Sequence, residues 1–208
     1  MVRVKICGLT RPEDAEAALD LGADALGYVF EPASPRYLPR ERRGFIAGIA
    51  PFATCVAVYG IADPPELWGC NLVQAVDVRP AEGESPSVLK VMRPRTADPG
   101  VLEKELLDWE RRHPRFTVRG VVLDAFDADA FGGTGRRIDA AFAEAFVRNS
   151  QRPVVLAGGL TPETVAAVVA AVRPYAVDVS SGVESSPGLK DRVKVRDFIQ
   201  AAKQASGG

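Results

Sequence analysis

The sequence predicts a single (β/α)8 barrel of the TIM type, and two observations carry that expectation. Short strand-like runs alternate with helical patterns along the whole chain, the signature of parallel βα units. Eight such runs fit into 208 residues with no low-complexity linker or composition shift, which suits one domain spanning 1–208 with short loops. A doubly wound open sheet is the alternative architecture.

The expected strands are Val2–Cys7, Ala25–Phe30, Ala53–Tyr59, Leu72–Val78, Ser87–Met92, Thr117–Asp124, Pro153–Ala157 and Tyr175–Ser180. In the first, Arg3, Lys5 and Cys7 share one face while Val2, Val4 and Ile6 share the other. Gly8 allows a sharp turn, and Thr10-Arg11-Pro12-Glu13 supplies an N-cap, a proline at the first helical position and an acid behind it. Helices are expected over Arg11–Leu21, Arg40–Ile49, Pro64–Trp68, Val101–Arg112, Asp139–Asn149, Pro162–Val172 and Leu189–Ala205. Pro80 to Pro86, after the fourth strand, leaves no room for a full helix.

Composition narrows the chemistry. Lys plus Arg number 26 against 27 Asp plus Glu, so no global field favours nucleic acid or a membrane surface. The longest alanine/valine run, Val165 to Val172, is far short of a membrane span. The three scattered cysteines, Cys7, Cys55 and Cys70, fit neither a disulfide framework nor a zinc site, and point to a reducing cytoplasm. The single histidine, His113, argues against a histidine-based triad or a metal centre. Oligomeric state is left open between monomer and homodimer, because apolar residues such as Phe45 and Phe52 suit an interface as well as barrel packing.

Active sites of such barrels gather at the carboxyl ends of the strands. Polar groups fall there: Cys7 ends the first strand, Asp77 lies near the end of the fourth, Asp124 ends the sixth, and Asp178 precedes Ser180-Ser181-Gly182 at the eighth. Cys7 read locally is either a reactive thiol or a small buried hydrophobe. Gly158-Gly159-Leu160-Thr161 runs into a helix, and a short helical turn is expected from Val183 to Ser186. Gly158, Gly159, Ser180, Ser181 and Gly182 are therefore expected to bind phosphate through backbone amides and hydroxyls. Phe131-Gly132-Gly133-Thr134-Gly135-Arg136 reads as a loop over the strand ends. By strand parity Lys5 and Asp178 both point inward on strands that adjoin in a closed barrel, which predicts an ion pair, since a buried lysine is costly alone.

Lys5-Ile6-Cys7-Gly8-Leu9-Thr10, Ser34-Pro35-Arg36-Tyr37, Val122-Leu123-Asp124, Gly132-Gly133-Thr134-Gly135, Gly158-Gly159-Leu160 and Asp178-Val179-Ser180-Ser181-Gly182-Val183-Glu184 together resemble the phosphoribosylanthranilate isomerase family, in order and nearly end to end. The resemblance implies an Amadori rearrangement of a small phosphoribosyl substrate in tryptophan synthesis, without a cofactor or metal. It implies Asp124 as general acid, Cys7 as general base, and Arg36 as the partner of the anthranilate carboxylate, with Lys5, Gly132, Gly133 and Asp178 also at the substrate. Apolar neighbours Val122 and Leu123 are expected to keep Asp124 protonated, whereas Lys5 and the helix starting near Arg11 are expected to favour the Cys7 thiolate.

Two stretches depart from the family pattern. Val76-Asp77-Val78-Arg79-Pro80 stands where valine-glutamine-leucine-histidine-glycine is usual, and Arg136-Arg137-Ile138-Asp139-Ala140 follows the loop glycines. The rivals are thus a paralogue acting on another phosphoribosyl amine, with Asp77 and Arg79 reading its aglycone, and a phosphosugar-binding barrel that does not catalyse.

Overall fold

A computed structural model describes residues 1–49, 53–63, 65–79, 85–94, 98–124 and 140–206. The expected loop glycines Gly132 and Gly133, and Phe52, lie outside the described residues.

Eight parallel strands close into a barrel in sequential order: β1 (Arg3–Cys7), β2 (Ala25–Val29), β3 (Thr54–Ala62), β4 (Leu72–Val78), β5 (Ser87–Met92), β6 (Thr117–Leu123), β7 (Val154–Leu156) and β8 (Ala176–Val179). Five α-helices are described around it: α1 (Pro12–Asp20), α2 (Pro99–Arg112), α3 (Ala140–Asn149), α4 (Pro162–Val172) and α5 (Arg192–Ala205). No helix among the described residues is long and apolar enough to cross a membrane.

Alternation along the strands splits the core in two. Val4, Ile6, Leu26, Tyr28, Val121, Leu123 and Val177 face outward and pack with helix residues such as Leu106, Phe146, Val169 and Phe198. Val56, Leu89, Val91, Val122, Val155, Ala157 and Ala176 fill the barrel interior. At the β8–β1 seam two inward positions are instead charged, Lys5 standing opposite Asp178 in register.

Three expected helices differ. Arg40–Gly48 is a 3-10 helix. After β3, residues 65–68 are not helical: Trp68 and Gly69 both have positive φ, and the Tyr59 hydroxyl bonds the Glu66 carbonyl and amide in place of a helical partner. Near the carboxyl end, Leu189 does not begin a helix. Leu189–Lys190 (β10) pairs antiparallel with Glu184–Ser186 (β9), and α5 starts later because the Asp191 carboxylate accepts from the Val193 and Lys194 amides. The short turn expected over Val183–Ser186 begins two residues earlier, as a 3-10 turn at Ser181–Val183. Thr10 likewise does not cap α1. Arg11 occupies the N-cap, and the Thr10 hydroxyl donates to the Gly188 carbonyl at 2.6 Å. Phe45 serves barrel packing, edge-on to Tyr28.

Candidate active site

A cavity of about 190 Å3 opens at the carboxyl ends of the strands. Cys7, Arg36, Asp124, Gly158, Gly159, Asp178, Ser180, Ser181 and Gly182 all line it, together with Glu31, Gln74 and Arg93. Lys5 sits one pleat below Cys7 on the same face of β1.

The β8–β1 seam builds the floor. Lys5 Nζ donates to Asp178 Oδ1 at 2.9 Å, with both side chains more than nine-tenths buried. Burial pulls the Lys5 ammonium down, but Asp178 and Cys7 beside it more than offset this, and its pKa ends above the usual lysine value. Cys7 behaves otherwise than the sequence suggests. Burial pushes its thiol up, Lys5 pulls only part of the way back, and Asp178 adds to the rise. The thiol is thus harder to ionise than an ordinary cysteine.

Arg36 reaches the cavity from the loop after β2 and is already held. Its Nε and Nη2 donate to the two oxygens of Glu184 at 2.9 and 2.7 Å, a bidentate pair that fixes the guanidinium plane. Glu184 also accepts from Lys190 Nζ at 2.8 Å. Burial raises the Glu184 carboxyl, but hydrogen bonds from Arg36 and Lys190 outweigh it, and the pKa lies below the usual glutamate value. Asp124 follows the end of β6, and Arg93 Nε lies 3.3 Å from its Oδ2. Its surroundings are therefore not the purely apolar ones expected from Val122 and Leu123.

The two glycine loops meet. Gly158 and Gly159 both adopt positive φ, at 98° and 61°, so a side chain there would be strained. A Cβ on Gly182 would stand 2.0 Å from the Leu160 carbonyl oxygen, so the loops after β7 and β8 touch through that glycine. The Ser180 hydroxyl is buried without a hydrogen-bond partner among the described residues. Backbone amides, a spare hydroxyl and the start of α4 at Pro162 make a pocket suited to a phosphate.

Asp77 and Arg79 do not reach the cavity. Asp77 faces outward and accepts from Trp109 Nε1 at 3.0 Å, and Arg79 pairs with Asp63 on the surface. The departure on β4 is thus spent on packing α2, which removes the ground for a rival aglycone read by these residues. His113 stacks on Trp109 at the end of α2, with ring centroids 4.4 Å apart. Residues not singled out as site candidates from sequence include Glu31, Gln74, Arg93, Glu184 and Lys190. Strand parity on β5 would have flagged Arg93, whereas Lys190 depends on the β9–β10 hairpin folding back.

The fold and this site define a (β/α)8-barrel enzyme with a sugar-phosphate type of pocket, and likeness to known proteins makes that particular. The family model for N-(5'-phosphoribosyl)anthranilate isomerase matches residues 106–201. The N-(5'-phosphoribosyl)anthranilate isomerase of Geobacter sulfurreducens is 42% identical over 98% of this chain and 99% of its own length. Among solved structures, the phosphoribosyl anthranilate isomerase of Thermotoga maritima has a TM-score of 0.79 at 34% identity, covering 98% of this chain and all of its own. A structure of phosphoribosyl anthranilate isomerase in complex with reduced 1-(o-carboxyphenylamino)-1-deoxyribulose 5-phosphate has a TM-score of 0.75 at 33% identity, over 98% of this chain and all of its own. The chain belongs to the phosphoribosylanthranilate isomerase family, and it is an isomerase.

Proposed function

We propose that the protein converts N-(5-phosphoribosyl)anthranilate to 1-(2-carboxyphenylamino)-1-deoxyribulose 5-phosphate in tryptophan biosynthesis, with Asp124 as general acid and Cys7 as general base. The observation that carries this reading is that one cavity holds a thiol, a carboxylate, an oriented arginine and two glycine loops.

The chemistry follows from those groups. Protonation of the ribose ring oxygen by Asp124 lets the C1–O bond break as the amine nitrogen forms a Schiff base. The Cys7 thiolate then takes the proton from carbon 2, and the electron pair left behind neutralises the iminium as an enolamine. Tautomerisation returns a proton to carbon 1 and leaves the ketone at carbon 2, with no net oxidation. The phosphate sits on the Gly158-Gly159 and Ser180-Ser181-Gly182 loops, and the anthranilate carboxylate on the Arg36 edge that Glu184 leaves uncovered. Lys5, tied to Asp178, supports the Cys7 thiolate from below.

The test uses the anthranilate fluorescence lost on turnover of enzymatically generated phosphoribosylanthranilate. Wild type is expected to turn over, and Cys7→Ala and Asp124→Ala to lose at least about a hundredfold in kcat. Equal turnover in all three would reject the roles, and binding without turnover by wild type would favour a phosphosugar-binding barrel. Because the Cys7 thiol is pushed up and must be ionised to act, kcat/KM is expected to climb as pH rises through neutrality. A profile flat from pH 6 to 8 would contradict the thiolate step.

A further inference from the structure

Lys190 has no part in the proton transfers above, yet its side chain is only 2% exposed, behind the cavity wall. Its Nζ donates to Glu184 Oε1 at 2.8 Å and to the Ser180 carbonyl at 3.1 Å. The first contact steadies the carboxylate that grips Arg36, and the second steadies the loop whose hydroxyl and amides face the cavity. The hairpin carrying Lys190 is itself pinned to the start of α1, through the Lys190 amide on Asp14 Oδ2 at 3.2 Å, and to the β1–α1 loop, through the Thr10 hydroxyl on the Gly188 carbonyl.

The charges of the ion pairs nearest Cys7 do not cancel. Lys5, Arg36 and Lys190 are cations, and Asp178 and Glu184 are their carboxylate partners, so three minus two leaves one positive charge while the thiol keeps its proton. Arg93 and Asp124 also line the cavity as a pair, Glu31 lines it and accepts from the Gly60 amide, with no ion pair to this cluster among the described residues, and Asp14 is engaged by Arg11. A surplus charge in so buried a cluster is costly. Two anions can remove it: the Cys7 thiolate, or a substrate carboxylate arriving on Arg36.

We propose that Lys190 is a positioning residue of this site: it clamps Glu184 so that Arg36 is held ready for an aromatic carboxylate, and it supplies the odd positive charge that a Cys7 thiolate neutralises. The inference rests on the isomerase reading, and it adds a sequence of events to it. In the free enzyme the surplus positive charge draws the Cys7 thiol part of the way back toward ionisation, although burial and Asp178 still hold it above an ordinary cysteine. Seating of the substrate carboxylate offsets that charge, so a Cys7 thiolate is the stronger base at the moment of proton abstraction.

Three variants of the full chain test this: Lys190→Met, Lys190→Arg and Glu184→Gln. The titration of Cys7 is followed by NMR of [13Cβ]cysteine-labelled protein, the Cys7 signal being the one absent in Cys7→Ser, and KM and kcat are measured alongside. Lys190→Met is expected to move the Cys7 midpoint up by about one pH unit, tenfold less thiolate at a given pH, and to raise KM about tenfold by loosening Arg36. Lys190→Arg is expected to restore both to within about threefold. Glu184→Gln leaves one more cation uncompensated, so it is expected to move the midpoint down while still raising KM. Opposite shifts in the two neutralising variants are the signature that a merely structural role does not produce. If Lys190→Met fails to fold by circular dichroism, the downward shift in Glu184→Gln decides. A Cys7 midpoint that does not move, or that moves the same way in both variants, overturns the proposal. Failure of the isomerase reading is read separately, as absence of wild-type turnover, while the titration still reports the charge balance.

Discussion

The barrel wall buries two strand lysines on opposite faces, with opposite consequences. Lys5 points inward from β1, pairs with Asp178 at 2.9 Å, and holds its proton more tightly than an ordinary lysine. Lys90 points outward from β5, is equally hidden at 6% exposure, and is pulled down to about 8, burial outweighing the more distant Asp77. Its ammonium reaches the Val76 and Val91 carbonyls and lies 5.3 Å above the Trp109 ring, with no carboxylate at ion-pair distance among the described residues. Burial is common to both, so the counter-charge decides the sign. A lysine that serves a charged site is given its own carboxylate; one that packs a helix against the sheet is not.

Removing that carboxylate is the harshest way to break the contrast. Asp178→Ala leaves Lys5 buried and unpaired and is expected to cost about 3–5 kcal/mol in urea unfolding at pH 7. Because the folded-state pKa of Lys5 is raised, the pair's contribution is fully present below pH 10.5 and is lost as pH rises through the higher folded value. The penalty of Asp178→Ala should therefore shrink only in strong alkali. A loss below about 1 kcal/mol at pH 7 would mean that Lys5 finds another partner or water, and the inner seam would then resemble the outer one.

How much of this was legible in the chain differs between the two lysines. Strand parity alone put Lys5 and Asp178 on one inward seam, because a period of two is unambiguous once a barrel closes β8 onto β1. The same parity puts Lys90 outward, but its burial depends on Trp109 arriving from α2, a long-range event that no local pattern reports. The strand-end rule pointed to Cys7, Asp124 and the glycine loops, which line one cavity, and the family resemblance added Arg36; the same rule also pointed to Asp77, which faces Trp109 instead. The protonation of Cys7 was not legible: the sequence shows a lysine two residues away, but not that burial and Asp178 together outweigh it. Lys190 and Glu184 were missed as site residues for a similar reason. Their meeting requires the chain to double back as a hairpin where a helix start was expected.

A milder change sharpens the inner half of the contrast. Gly27 on β2 stands beside Cys7 in register, and a Cβ there would lie 2.8 Å from Cys7 Sγ and 2.9 Å from Lys5 Nζ. The missing side chain is what leaves room for a lysine and a thiol on one face. Gly27→Ala is expected to cost about 1–3 kcal/mol through overpacking. The displaced thiol is also expected to lower kcat by up to about a hundredfold. An alanine variant with unchanged kcat would show that Lys5 and Cys7 have slack, and that the seam is less tightly determined than its charges imply.

The smallest expected effect comes from the outer lysine, and its sign is the informative part. The unfolded chain keeps a proton on Lys90 up to about pH 10.5, the folded protein only up to about 8, so at pH 7 the charged form opposes folding. That gap corresponds to roughly 3 kcal/mol. Lys90→Met removes it, but also removes two hydrogen bonds to strand carbonyls, worth about 1 kcal/mol each. A net gain of about 1 kcal/mol at pH 7 is the expected result in urea unfolding. At pH 10 the wild-type amine is already neutral in the folded protein, most of the penalty is gone, and the lost hydrogen bonds should make the variant the less stable of the two. A stability difference that does not change between pH 7 and pH 10 would mean that Lys90 keeps its proton as firmly as Lys5 does, and that a tryptophan face and two carbonyls can replace a carboxylate.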